Sequence, residues 1–217
     1  MLSKETALGI TERRERERVA VREKILDAAR ELFVAEGYEA VTMRKIAERI
    51  EYSPTAIYFH FRDKEDLMHE LCDADFAALA GKFQKISRIA DPIDQLRQIG
   101  RTYVEFAIEK PNHYRVMFMT PKPPMRAEDS RLKRGNIQED AYAFLVATVE
   151  AAMAAGRFSP EYTDADAVAQ MVWSSTHGVV SLHIAKCTDD WVPWKDVRRT
   201  AYEVIEVMIR GLAKDAR

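Results

Sequence analysis

The chain is 217 residues long, 47% hydrophobic and formally charged at −2, which supplies a buried core and excludes a chain disordered throughout. No run approaches the roughly 18 to 20 apolar residues needed to span a bilayer, and the stretch from Met1 to Arg18 has no apolar leader core, so a cytoplasmic protein with no membrane contact is expected. The two cysteines, Cys72 and Cys187, match no zinc or redox spacing; both are expected to be reduced, with no metal and no cofactor.

Eight glycines, eight prolines and apolar residues at helical spacing almost throughout predict an all-α protein. Residues 1–18, rich in Arg and Glu and without apolar anchors, are expected as a flexible charged arm. From Val19, the residues Ile25, Ala29, Leu32 and Phe33 share one helical face, and Gly37 ends that helix. Thr42 can cap a short second helix, with Ile46, Ala47 and Ile50 inward and Arg44, Lys45 and Arg49 outward. After Glu51-Tyr52, the pair Ser53-Pro54 opens a third helix, and Asp63 caps a fourth. Longer helices are expected at about 64–88, 92–109, 112–119, 129–155, 163–186 and 195–213, separated by Pro and Gly.

Three short helices in about 40 residues, the second and third joined by a tight turn, form a helix-turn-helix. The third fits a major groove about 12 Å wide if its leading face is small or polar and its rear face is anchored. Thr55 and Ala56 occupy its exposed first turn, Ile57 can bury, and Tyr58 and His60 can reach phosphate. The division expected is therefore an arm at 1–18, a DNA-binding domain at 19–66 and a larger helical domain at 67–217.

The stretch Val41-Thr-Met-Arg-Lys-Ile-Ala-Glu-Arg49, continued by Ser53-Pro-Thr-Ala-Ile-Tyr-Phe-His-Phe-Arg-Asp-Lys-Glu-Asp-Leu67, resembles the DNA-binding domain of TetR-family regulators. Trp173-Ser-Ser-Thr-His177-Gly178 resembles the Trp-x-x-x-His-Gly element of one subgroup's ligand domain. The resemblance implies a double-stranded DNA operator approached by Thr42, Arg44 and Lys45, base edges faced by Thr55 and Ala56 behind the Ser53 cap, and phosphate gripped by Tyr58, His60 and Lys64. Lys64 also sits in the first turn of the fourth helix, whose free N–H groups favour an anion. Glu51 departs from the glycine usual in the family's turn, and a left-handed non-glycine residue costs roughly 1 kcal/mol or more. No Arg, Asn or Gln stands on the first turn of the third helix, so the base code is thin.

The same analogy implies an effector cavity, and Tyr103, Phe106, Tyr114, Met117, Phe118, Phe144, Trp173 and His177 could line it for a small apolar or aromatic ligand. Each could equally be plain core. The apolar stripe of the last helix needs either the chain's own core or a second subunit; the homodimer interface is expected at Val179, Leu182, Ala201, Val204, Ile205, Met208, Ile209 and Leu212. The function expected is a repressor released from a palindromic operator by its effector. The alternative is a helix-turn-helix regulator whose larger domain only dimerises or meets a protein partner. An enzyme is not expected, since no nucleophile with a base, paired carboxylates or phosphate loop stands in the sequence.

Overall fold

The computed structural model describes residues 2–124, 126 and 128–214, with the backbone alone for residues 2–8 and 10. It is all-α: α1 (Leu2–Glu36), α2 (Met43–Arg49), α3 (Pro54–Tyr58), α4 (Lys64–Gln84), α5 (Pro92–Glu109), α6 (Pro111–Tyr114) continued by a π-helical turn over Arg115–Met119, α7 (Ala141–Ala154), α8 (Ala165–Lys186) and α9 (Val197–Leu212). Among the described residues no helix is long and apolar enough to cross a membrane. Two compact units emerge, Met1–Cys72 with Thr120–Asp129, and Asp73–Met119 with Ser130–Arg217. The boundary at Cys72 and the one expected at residue 67 both lie inside α4.

In the first unit, local chemistry sets each helix end. Gly37, at φ 81°, donates its N–H to the Phe33 carbonyl and ends α1. The Thr42 hydroxyl accepts from Lys45 N at 3.2 Å to start α2, and the Ser53 hydroxyl accepts from Ala56 N at 3.2 Å to start α3, with Pro54 in its first turn. Ile25, Ala29, Phe33, Ile46, Ala47, Ile57, Phe61 and Leu67 are all buried, so each short helix is held by its apolar face. Glu51 adopts φ 61° between α2 and α3. The turn thus keeps the left-handed residue that the departure from glycine put under strain.

Residues 2–18, expected as an arm, are helical and continuous with α1. Arg and Glu alternate there at helical spacing, and the pairs Arg13–Glu17 (2.8 Å) and Arg18–Glu15 (2.7 Å) run along the exposed surface. Met1 lies outside the described residues.

The second unit is built around α5, whose buried residues Leu96, Ile99, Tyr103, Val104, Phe106 and Ala107 join those of α7, α8 and α9 in one core. Four helices begin on an aspartate: Asp91, Asp140, Asp164 and Asp196 each accept from backbone N–H groups in the first turn. Asp140 marks a correction, because the helix expected from residue 129 starts only at Ala141. The preceding segment is spent on turns, with Gly135 at φ 80° and Asn136 accepting from Glu139 N. Buried Asp73 fixes its beginning by accepting from Ser130 Oγ and Arg131 N, both at 2.7 Å. The helix expected over 112–119 is also altered, since α6 gives way to the wider π turn after Tyr114. Of the Pro-rich loop from Thr120, Met125 lies outside the described residues.

α5 and α9 meet at Gly100. A Cβ built there would stand 2.7 Å from Ile205 Cδ1 and 2.9 Å from its Cγ1. Gly100→Val is therefore expected to destabilise by about 1–3 kcal/mol through overpacking. Thermal melts should show much of that loss restored when Ile205→Ala is added, a coupling that widely separated sites do not have.

Candidate functional site

The first unit presents α3 as a short rod with one buried and one exposed side. Ile57 is 0% exposed and anchors the rear, while Thr55, Tyr58 and Phe59 face outward and Ala56 is half-buried. Phe59, 84% exposed, is the most solvent-facing aromatic of the segment and was given no role by the sequence reading. Its only sequence signal is that it falls on the same outward arc as Thr55.

The expected cations divide. Arg44 forms an exposed pair with Glu48 at 2.8 Å; such pairs hold their partners by about 0–1 kcal/mol. Lys45 is held more firmly, donating to Glu36 (2.6 Å) and to the Ala40 carbonyl (3.0 Å). Lys64 is half-buried and donates to the Tyr38 carbonyl at 2.8 Å, its ammonium 4.1 Å from the centre of the Tyr38 ring. Its first structural task is to fasten the start of α4 to the chain after α1.

The anion site expected at that helix end is also altered. Asp63 Oδ1 accepts from Asp66 N at 2.8 Å, and Glu65 and Asp66 lie in the same turn. The hydrogen bonds from Asp66 N and its neighbours hold the Asp63 carboxyl below the ordinary carboxylate range. Three carboxylates at this terminus already answer its positive end and oppose a second anion. His60 is half-buried, and burial first and the charge of Arg18 second lower its pKa from the ordinary histidine value.

In the second unit, five of the expected effector residues converge. Tyr103 from α5, Tyr114 from α6, Phe118 from the π turn, and Trp173 and His177 from α8 form one aromatic cluster, with ring centres 5.0 Å apart for Tyr114–Phe118, 5.3 Å for Phe118–His177 and 6.0 Å for both Phe118–Trp173 and Trp173–His177. Phe76 and Tyr142 extend it, against Phe118 and Trp173 respectively. Sequence spacing could not have found them, because they come from two other helices. Phe144 and Phe106 lie apart from this ring cluster: Phe144 pairs with Phe83, and Phe106 with His113. Both, with Met117, are buried in the core.

At the centre of the cluster, His177 Nδ1 lies 2.8 Å from the Tyr103 hydroxyl and 2.6 Å from the Tyr114 hydroxyl, which are 3.4 Å from each other. One ring nitrogen serves one hydroxyl fully, so the trio retains hydrogen-bonding capacity. Burial pushes the Tyr103 phenol up to about 12 and the Tyr114 phenol well above its ordinary value, while it lowers that of His177. All three are neutral near pH 7.

That shift has a consequence for stability. Because the folded His177 takes its proton at lower pH than the unfolded one, its contribution is complete above the ordinary histidine value of about 6.5 and is lost as pH falls below it. Melting temperatures at pH 7.5 and pH 5 should therefore differ less in His177→Gln than in the parent. Equal drops would assign the acid sensitivity to other groups.

His113 Nδ1 lies 2.7 Å from Asp75, a pairing across 38 residues that no recognised spacing announced. Among the described residues, no group of three or more His, Cys, Asp or Glu side chains is placed to hold a metal ion.

The residues expected at a subunit interface separate into two sets. Ala201, Ile205, Ile209 and Leu212 are buried in the chain's own core, which corrects their assignment to an interface. Val179, Val204 and Met208 are half-buried and Leu182 is 56% exposed. Met171 on α8 and Val207 on α9, which the sequence reading omitted, are exposed apolar side chains as well.

A capped tri-helical unit with an outward-facing third helix, followed by a helical unit with an aromatic centre, defines a helix-turn-helix protein with a second, separately cored domain. The family model described as bacterial regulatory proteins, tetR family, matches residues 25–71, and that described as tetracyclin repressor-like, C-terminal domain, matches residues 96–210. The chain belongs to the TetR family. It is similar to the HTH-type transcriptional repressor AcnR of Corynebacterium diphtheriae, 42% identical over 59 residues, which are 27% of this chain and 31% of that relative. The chain thus spans about a third of the length of that curated relative. Among solved structures, a bacterial regulatory protein in the tetR family from Rhodococcus RHA1 is similar with a TM-score of 0.68 and 25% identity, over 89% of this chain and 97% of that one. FadR from Bacillus subtilis, solved in complex with stearoyl-CoA, shares the fold with a TM-score of 0.72 at 18% identity, over 88% and 98% of the two chains.

Proposed function

We propose that the protein is a cytoplasmic, DNA-binding transcriptional repressor that is released from a palindromic operator when a small apolar or aromatic effector binds. The observation that carries the DNA reading is α3: capped by Ser53, anchored by buried Ile57, and exposing Thr55, Tyr58 and Phe59 on the side away from its core. Thr42, Arg44, Lys45, Ser53, Thr55, Ala56, Tyr58, His60 and Lys64 form the proposed contact set. Arg44 heads the phosphate contacts, because exchanging Glu48 for phosphate sacrifices only an exposed pair.

Selection of bound duplexes from a random DNA pool tests the reading, with a palindrome of half-sites about 34 Å apart as the expected product. On that duplex, Arg44→Ala should flatten the dependence of log K on log salt by about one. No enrichment of any sequence would remove the operator from the proposal.

The effector is assigned to the aromatic cluster, with Trp173 and Phe118 as walls and the Tyr103–Tyr114–His177 trio as the polar group that orients it. α4 is continuous between the two units, so a ligand that favours one setting of this helix would shift the DNA-competent population by linkage. The homodimer is assigned to α8 and α9 through Met171, Val179, Leu182, Val204, Val207 and Met208. A Cβ built at Gly178 or Gly211 meets nothing within 4 Å, which leaves room for a partner helix to approach closely.

A further inference from the structure

The second unit contains a cleft of about 570 Å³ that shares no residue with the aromatic cluster. Its walls come from the end of α4 and the turn after it, from α5, and from Tyr202 of α9. That volume falls in the range of small-molecule sites, roughly 300–1,000 Å³.

Its charge is unevenly matched. Glu105 already accepts from Arg198 Nε at 2.9 Å and from the Tyr202 hydroxyl at 2.7 Å. Glu109 pairs with Lys82 at 3.2 Å, and Glu206 takes Arg97 Nε at 2.6 Å while Arg101 stands off at 3.6 Å. The acids near the cleft therefore have their partners. On the basic side, Lys85 is exposed and makes no ion pair among the described residues, and Arg101, paired with Glu206 through a terminal nitrogen, keeps its Nε buried without a hydrogen-bond partner among them. The Arg101 guanidinium is held over the Tyr202 ring, 5.3 Å from its centre, so the group is oriented rather than swinging free. A buried donor atom that the protein leaves unused is what an anionic oxygen satisfies best. Beside it, Ile86 and Ile89 supply apolar wall.

We propose that this cleft binds a small organic carboxylate, its head between Arg101 and Lys85 and its apolar body against Ile86, Ile89 and the Tyr202 ring. The carboxylate is preferred over a phosphate monoester because Glu105 lines the same cleft and opposes a second negative charge. The site is independent of the effector assigned to the aromatic cluster.

The test uses the full chain at low salt with three probes of one shape: 2-naphthoate, 2-naphthyl phosphate and neutral 2-naphthylmethanol, followed by titration calorimetry. The expected result is saturable binding of naphthoate, at least tenfold weaker binding of the alcohol, and weaker binding of the phosphate. Arg101→Gln should weaken naphthoate about tenfold or more and Lys85→Ala further, with melting curves like the parent's, while Trp173→Ala leaves the affinity unchanged. Naphthoate that ignores Arg101→Gln, or that is lost in Trp173→Ala alone, lies in the aromatic cluster and overturns the proposal. Equal affinity for the alcohol, or no saturation by naphthoate at millimolar concentration, overturns it as well. None of these outcomes depends on DNA, so the operator reading stands or falls separately.

Discussion

Leu182→Glu combined with Val207→Glu should give a monomer by analytical ultracentrifugation and weaken operator binding by roughly 100-fold or more, while leaving helicity and the cooperative melt in place. The two side chains are 56% and 59% exposed, so neither substitution opens the chain's own core. What they remove is exposed apolar area on α8 and α9 assigned to the proposed homodimer, where they would bring like charges together across its two-fold axis. Loss of dimerisation turns the second half-site contact from an intramolecular step into an independent one, which accounts for the size of the effect. The contrast is Ile205, 3% exposed against Gly100: a charge there should unfold the second unit before it reports on assembly. A dimer undisturbed by the Leu182 and Val207 pair would move the interface to another face.

Ile57→Asp should abolish DNA binding together with the folded first unit, whereas Tyr58→Ala, one residue away, should weaken DNA binding and leave that unit folded. Ile57 is 0% exposed, and an unpaired carboxylate in its place lies in the buried apolar interior of the first unit, a change at or beyond the roughly 4–5 kcal/mol that marks exceptional mutations. Tyr58, 54% exposed, carries no such burden. Hydrogen exchange resolves the pair: amides of α2 and α3 should lose protection in Ile57→Asp and keep it in Tyr58→Ala. Loss of protection in both would mean that the outward face of α3 also serves the fold and would weaken its assignment to DNA.

How far the sequence carried the candidate site depends on the range of the interactions involved. Thr42, Ser53 and Asp63 act on amides three residues away, and the burial of Ile46 and Ile57 follows from helical spacing, so the tri-helical unit was legible from local pattern. Lys64 was legible as a cation beside α3, but its bond to the Tyr38 carbonyl spans 26 residues and carries no local signature. In the aromatic cluster, the four-residue spacing of Trp173 and His177 placed them on one face of α8, while Phe76 and Tyr142 joined only through the packing of other helices. Phe106 and Phe144 were aromatic residues of the right kind that packing turned elsewhere.

The sequence alone determined that the chain is helical, where most helices start and stop, and that its first part is a helix-turn-helix, because caps, breakers and the 3.6-residue period act within one or two turns. Only the tertiary structure decided which side of α9 belongs to the chain's own core. Ala201, Ile205, Ile209 and Leu212 are buried, Val204 and Met208 half-buried and Val207 exposed, and periodicity is the same for a residue facing its own domain as for one facing a second copy. The tertiary structure also decided which cations of the cleft keep an unused donor. Arg101 and Lys85 look in the sequence like any other bases, and their difference arises because the acids near them are taken by Arg198, Lys82 and Arg97 from distant stretches of chain.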